Sequence, residues 1–319
     1  MKPKILITHQ LLSEALEYLK KYTDYEIAAF HRQLSKQEII EKIKDKQGLL
    51  PLLVDPIDRE VMDAAPSLKI IANCAVGYNN IDVDYARQKG ILVTNTPGVL
   101  TETTADLTWA LILAVARRIP QADRFVREKK FKGWEIDLFL GKEISGKQLG
   151  IIGMGRIGRA VALRAQAFKM KTFYFDPRRL PPSEESYYKA SFLKLNELLA
   201  TSDIITIHTP LTPQTQHLIS QEEINLMKKE AILINAARGP IVDEEALADS
   251  LQKKRIWGAG LDVYEREPII QEKLLNLDNV VLLPHIGSAT YETRLKMATI
   301  AARNLVQALQ GKRPDNLVW

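Results

Sequence analysis

The stretch Gly150-Ile151-Ile152-Gly153-Met154-Gly155-Arg156-Ile157-Gly158 limits what this chain can fold into more than any other. It reads as the end of a buried strand, a glycine turn and the start of a helix. Gly153, Gly155 and Gly158 match G-x-G-x-x-G, in which each glycine has its own task. The first permits the tight turn, the second lets the backbone approach a pyrophosphate, and the third lets helix and strand pack closely. The helix then aims its unpaired N–H groups and positive dipole end at the phosphates. Alone the pattern is weak, but its surroundings support it. Residues 148–152 are short and apolar, and 159–165 have helical periodicity. A second strand over 171–176 ends on Asp176, close to the roughly 20-residue spacing at which a ribose-binding carboxylate belongs. A dinucleotide site is the expectation.

At 319 residues the chain exceeds what one core usually supports, so two domains are expected. A composition of 46% hydrophobic and 26% charged residues suits a globular protein rather than a disordered one. The single cysteine, Cys74, excludes an internal disulfide framework and fits a reducing compartment. The N-terminal apolar run is too short for a signal peptide, and no stretch approaches the roughly 18 apolar residues of a membrane span. A cytoplasmic location is therefore expected. The net charge of +5 raises nucleic acid as a partner, but basic and acidic residues are interspersed and no long basic block occurs. The expectation is no nucleic acid and no membrane; a mild positive field would instead attract a small anion.

The first hundred residues alternate strand and helix. Strands are predicted at 4–8, 25–28, 48–53, 68–74 and 91–95, and helices at 11–19, 35–44, 58–64 and 83–89. This alternation argues for a parallel sheet covered by helices, with ligands outside the carboxyl ends of its strands. Two strand-end loops stand out there, 52–55 and 74–80. The second offers backbone N–H groups around Gly77 that suit a carboxylate, and it equally fits an ordinary strand-to-helix turn. Thr96-Pro97-Gly98 makes a natural hinge. The run from Thr103 to Arg118 reads as a helix apolar nearly all round, buried in the second domain or in a subunit interface. After Asp176, strands are predicted at 203–208, 231–235, 258–263 and 280–283, with helices at 195–200, 221–227 and 244–253. A final helix over 294–309 is expected to return to the first domain.

Three residues lie just past strand ends of the dinucleotide domain: Arg238, Glu267 and His285. Together they suit the reduction of a keto acid. A guanidinium can hold a carboxylate and polarise a carbonyl. An imidazole can donate a proton, and a paired carboxylate would favour its protonated form. Singly, each also fits a bland role: a surface cation, a solvated acid, a structural histidine. His9, His31 and His217 have no partner motif and read as surface or structural. His208 ends a strand on the expected adenine side. No spacing suggests metal ligation and no G-x-S-x-G elbow occurs.

Several separated segments now carry a resemblance: Val76 to Asp82, Thr96 to Asp106, Gly150 to Gly158, Ile234 to Gly239, Gly260 to Val263 with Glu267-Pro268, and Leu283 to Ala289. Over nearly its whole length the chain resembles the D-isomer-specific 2-hydroxyacid dehydrogenases, most of all the glyoxylate/hydroxypyruvate reductases. The resemblance implies an α/β fold of two doubly wound parallel-sheet domains. A Rossmann dinucleotide-binding domain, 99–285, would be inserted into a flavodoxin-like substrate domain, 1–98 with 286–319. It implies that Arg238, Glu267 and His285 are catalytic, with His285 as general acid/base. Val76 and Gly77 would offer amides to the substrate, beside Arg238 and His285. The cofactor would be contacted by Thr104, Gly153, Gly155, Arg156, Ile157, Gly158, Asp176, Ala236, Asp262, His285 and Gly287. A homodimer through the dinucleotide domains is also implied, with a loop near 134–140 able to reach the partner's site.

Asp176 would bind the ribose hydroxyls of NAD and repel the phosphate of NADP, whereas Arg178 and Arg179 could hold that phosphate. NAD(H) is the expectation, with NADP(H) as the alternative. Phosphoglycerate dehydrogenase is the nearest enzymatic rival; many such enzymes carry a regulatory domain, and little chain follows His285 here. Formate dehydrogenases carry glutamine where Glu267 stands. Corepressor-like binding proteins built on this fold retain the catalytic trio but add tails and partner clefts.

Overall fold

The computed structural model describes residues 1–30 and 32–319, so His31 lies outside the described residues. The chain divides into two compact units, Met1–Leu100 with Ser288–Trp319 and Thr101–Gly287.

In the first unit, β1 (Lys4–His9), β2 (Asp24–Ala29), β3 (Gly48–Leu50), β4 (Ile70–Ala72) and β5 (Leu92–Thr94) form a parallel sheet ordered β2-β1-β3-β4-β5. Ile5, Leu6 and Ile7 are consecutive and all fully buried, as a strand covered on both faces requires. Alternation sends Ile5 and Ile7 into one core, shared with helices Ser13–Tyr22 and Tyr291–Leu309. Leu6 enters the opposite core with Leu49, Ile71 and helix Lys36–Ile43. That last helix begins with a capping box in which Ser35 and Glu38 satisfy each other's backbone amides. The strand order reverses between β1 and β3, so His9 and the loop from Pro51 sit at the carboxyl edge where such sheets bind ligands.

In the second unit, β6 (Gln148–Ile152), β7 (Lys171–Phe175), β8 (Ala190–Phe192), β9 (Ile204–Ile207), β10 (Ile232–Asn235), β11 (Gly258–Leu261) and β12 (Val280–Leu282) form a parallel sheet ordered β12-β11-β10-β9-β6-β7-β8. The reversal lies between β6 and β9, directly at the glycine turn. Ile151 and Ile152 face opposite cores. Helix Thr101–Ala116 joins the first of these through Trp109, Leu111, Ile112 and Val115, and Trp109 stacks on Phe168 at 4.5 Å.

The structure adds elements that periodicity did not reveal. Helix Pro182–Tyr188 and β8 occupy a span without a sequence assignment, because a three-residue edge strand carries too little pattern to register. Helix Ile119–Arg127 follows Arg118 and buries none of its residues within the chain. Beyond it, Trp134 and Ile136 are 80% and 79% exposed. Among the described residues, no helix is long and apolar enough to cross a membrane.

Candidate active site

At the glycine turn each glycine meets a different demand. Gly153 has φ 96°, and a Cβ there would stand 2.6 Å from the backbone of His208 and Thr209. A Cβ on Gly158 would stand 2.2 Å from Gly153 O. Around Gly155 nothing lies within 4 Å, so the space in front of the helix is open. Gly155 is also the N-cap of helix Arg156–Ala165, with no side chain capping it. The amides of Arg156 and Ile157 find no acceptor among the described residues. Open space, uncapped amides and a helix dipole fit a pyrophosphate, so the residues present suit a dinucleotide.

Asp176 returns to this turn. Its Oδ2 accepts from the Met154 amide (2.9 Å) and its Oδ1 from the Arg178 amide (2.9 Å). The two arginines beside it differ. Arg179 forks onto Glu185, Nε to Oε1 at 2.9 Å and Nη2 to Oε2 at 3.1 Å, and lies over Phe192. Arg178 is exposed and has no ion-pair partner among the described residues. Only one of the two guanidinium groups is therefore uncommitted.

At the other strand ends of this unit, His285 Nδ1 meets Glu267 Oε2 at 2.8 Å. Glu267 Oε1 accepts from the Tyr264 amide at 3.0 Å. Burial would push the Glu267 carboxyl up, but the His285 hydrogen bond and charge, the Tyr264 amide and Arg238 outweigh it and hold it below its ordinary value. Glu267 is therefore a carboxylate, His285 Nδ1 carries the proton between them, and Nε2 is left without a partner among the described residues. His285 occupies the left-handed region at φ 55°. Such a conformation in a non-glycine residue persists only where its surroundings over-determine it.

Asp262 is the anchor. Its buried carboxylate accepts from the Ile286 amide (2.7 Å) and the Gly287 amide (2.8 Å), the two residues after His285. Burial raises its pKa, against the pull of those amides and of the His285 charge. Thr104 Oγ1 donates to Gly287 O at 3.1 Å and ties the same turn to helix Thr101–Ala116.

Arg238 follows β10 in a loop stitched by Asn235, whose Nδ2 donates to Arg238 O (2.9 Å) and whose Oδ1 accepts from Ala237 N (3.1 Å). Ala236 is half-buried between them. One guanidinium N–H donates to Ala237 O at 2.7 Å, and the remaining donors have no partner among the described residues. Burial disfavours the guanidinium charge, and Glu267 supports it. The Arg238 and Glu267 loops touch at Gly239, where a Cβ would lie 1.9 Å from the Tyr264 carbonyl.

Sequence reasoning missed several of these supports. Glu244 is buried and accepts from the amides of Glu265 (2.9 Å) and Gln271 (2.8 Å), bracing the loop that carries Glu267. As an acid in the first turn of a helix it has the signature of an ordinary dipole partner. His217 is not solitary but pairs with Glu265. His208 pairs with Thr206 and has a buried, unpartnered Nδ1; burial pushes its pKa down to about 3.

In the first unit, the carbonyls of Val76 and Gly77 are taken by Asn95 Nδ2 (2.8 Å) and Asn73 Nδ2 (2.9 Å). The amides of Val76 and Gly77 have no acceptor among the described residues. Unspent N–H groups on a loop with pinned carbonyls can receive an anion.

Comparison with known proteins agrees with this chemistry. Residues 109–287 match the family model described as D-isomer specific 2-hydroxyacid dehydrogenase, NAD binding domain. The chain is 48% identical to the glyoxylate reductase of Thermococcus litoralis, over 100% of this chain and 97% of that one. It is 47% identical to the glyoxylate reductase of Korarchaeum cryptofilum, over 100% and 96%. Among solved structures, an NADPH-dependent glyoxylate/hydroxypyruvate reductase from Sinorhizobium meliloti, in complex with NADP and malonate, superposes with a TM-score of 0.87. It is 31% identical and covers 100% of this chain and 97% of its own.

Proposed function

The chain belongs to the D-isomer-specific 2-hydroxyacid dehydrogenase family, and we propose that it reduces glyoxylate or hydroxypyruvate with a nicotinamide cofactor. The observation that carries this reading is the His285–Glu267 pair beside an arginine with unspent donors. Relatives named for glyoxylate support a small substrate.

When bound, the reduced cofactor supplies a hydride to the carbonyl carbon. The chain's own residues do the rest. Arg238 holds the carboxylate and carbonyl oxygen of the substrate through its remaining N–H groups. In the first unit, taken by itself, the unspent amides of Val76 and Gly77 suit a carboxylate. His285 donates its Nε2 proton to the carbonyl oxygen, which becomes the hydroxyl of the product. Glu267 keeps the ring oriented through Nδ1 and compensates the imidazolium charge. Asp262, Thr104 and Gly287 hold the His285 turn, and Ala236 lies on the Arg238 loop. The glycine turn with the amides of Arg156 and Ile157 would hold the pyrophosphate.

A panel of 2-keto acids with NADH and NADPH, followed by loss of nicotinamide absorbance, tests this directly. Turnover of glyoxylate or hydroxypyruvate is expected; no turnover of any 2-keto acid would sink the reading. NAD(H) is favoured over NADP(H), because Asp176 places a negative charge beside the turn and Arg179 is committed to Glu185. Asp176→Ala is expected to raise kcat/KM for NADPH relative to NADH. A ratio is the proper readout, since the substitution also removes the acceptor of the Met154 amide; an unchanged ratio would refute the ribose role.

The exposed apolar residues from Ile119 to Leu140 support a homodimer formed through this unit, with the 134–140 loop reaching toward the partner. Light scattering at catalytic concentration gives the mass that checks it. The single thiol, Cys74, supports a reducing compartment such as the cytoplasm.

A further inference from the structure

The carboxyl edge of the first sheet carries a buried acid that the proposed reaction does not use. Asp55 is fully buried. Its Oδ2 accepts from the Thr8 hydroxyl (2.6 Å) and the Leu52 amide (2.8 Å), and its Oδ1 meets His9 Nε2 at 3.1 Å. A buried carboxylate is tolerated only where its lone pairs are met, so the loop 52–55 must fold back onto the end of β1. Asn80 fastens the same loop from the other side, Nδ2 donating to Leu52 O and Asp55 O at 3.0 Å each. Its Oδ1 accepts from Asn73 Nδ2 at 3.4 Å, and that same Nδ2 donates to Gly77 O. The two strand-end loops are therefore one hydrogen-bonded assembly, with His9 and Asp55 at one end and the Gly77 carbonyl at the other.

We propose that His9 and Asp55 are positioning residues for substrate binding: they hold loop 52–55, and through Asn80 and Asn73 they fix the Val76 and Gly77 amides that receive the carboxylate of a small 2-keto acid. This rests on the proposed role of those two amides. Neither His9 nor Asp55 touches the substrate. Their contribution is preorganisation, which removes the cost of ordering a loop at the moment of binding.

Three variants test it: His9→Ala, His9→Gln and Asp55→Asn. Each is measured by steady-state kinetics with glyoxylate and NADH varied in turn, and by amide hydrogen exchange of residues 52–55 and 76–80. His9→Ala is expected to raise the KM for glyoxylate about tenfold, the size of a lost hydrogen bond to a charged group. KM for NADH should stay near wild type, and both loops should exchange faster together. His9→Gln, whose amide can reach Asp55, is expected to restore most of the affinity. Asp55→Asn should act in the same direction; if it does not fold, the His9 pair decides alone. An unchanged glyoxylate KM in His9→Ala overturns the proposal. So does faster exchange confined to 52–55. If the unsubstituted protein turns over no 2-keto acid, the functional reading has failed, and exchange still reports separately whether His9 holds both loops.

Discussion

His285→Ala is expected to lower kcat for glyoxylate reduction by about 10²–10⁴-fold, the range for loss of a general acid, with KM for NADH little changed. Among the described residues the imidazole is tied to the protein by one hydrogen bond, Nδ1 to Glu267, while its backbone turn is held separately by Asp262 through the next two amides. Removing the ring therefore leaves the turn in place, and the loss reports on proton donation. His285→Asn is the useful companion, because asparagine tolerates the left-handed conformation at φ 55°. A rate near wild type in either variant would remove His285 from the mechanism.

Glu267→Gln should cost part of the same effect, and the double variant should be no worse than His285→Ala, since residues acting as a unit are not additive. The pH dependence has a definite sign. The folded-state pKa of Glu267 is lowered. Its contribution to stability is therefore present above the ordinary carboxylate range and is lost as pH falls through the lowered folded value. Acid unfolding followed by circular dichroism should show this loss in the wild type and not in Glu267→Gln.

The glycine turn and the parallel sheets were legible because each depends on residue type in a fixed local pattern. Gly153 and Gly158 announce themselves, since no other residue avoids the clashes at 2.6 and 2.2 Å. Ile5, Leu6 and Ile7 likewise show a strand covered on both faces. What stayed hidden is long-range pairing. Asp262 was expected only as a cofactor contact, from the resemblance, yet its carboxylate also holds the turn of His285 through two amides further along the chain. Glu244 reads as a first-turn helix acid, yet it braces the Glu267 loop. His9 and Asp55 each look ordinary until β1 and β3 bring them together. The two arginines after Asp176 were equivalent on paper, and only the fold shows that Glu185 engages one of them.

Gly239→Ala is expected to lower turnover by about 10²-fold or more while largely sparing NADH binding. Gly239 does not need a left-handed backbone; it needs to have no side chain. A Cβ would lie 1.9 Å from the Tyr264 carbonyl carbon and oxygen and 2.5 Å from the Glu265 amide nitrogen, all backbone atoms with no rotamer to yield. The two loops must separate, and each carries half of the chemistry: Arg238 precedes Gly239, and the Tyr264 amide holds Glu267. A shift of about 1 Å at such a site costs on the order of 10²-fold. Overpacking against backbone also destabilises by roughly 1–3 kcal/mol or more. Cofactor binding should largely persist, because the turn at Gly153 and Gly158 and the carboxylate of Asp176 make none of their contacts through the Arg238 loop, which carries only the contact expected of Ala236. Fluorescence titration with NADH, urea unfolding and glyoxylate kinetics on the one variant separate these outcomes. Wild-type turnover would show that the two loops are not the rigid pair their backbone contact implies.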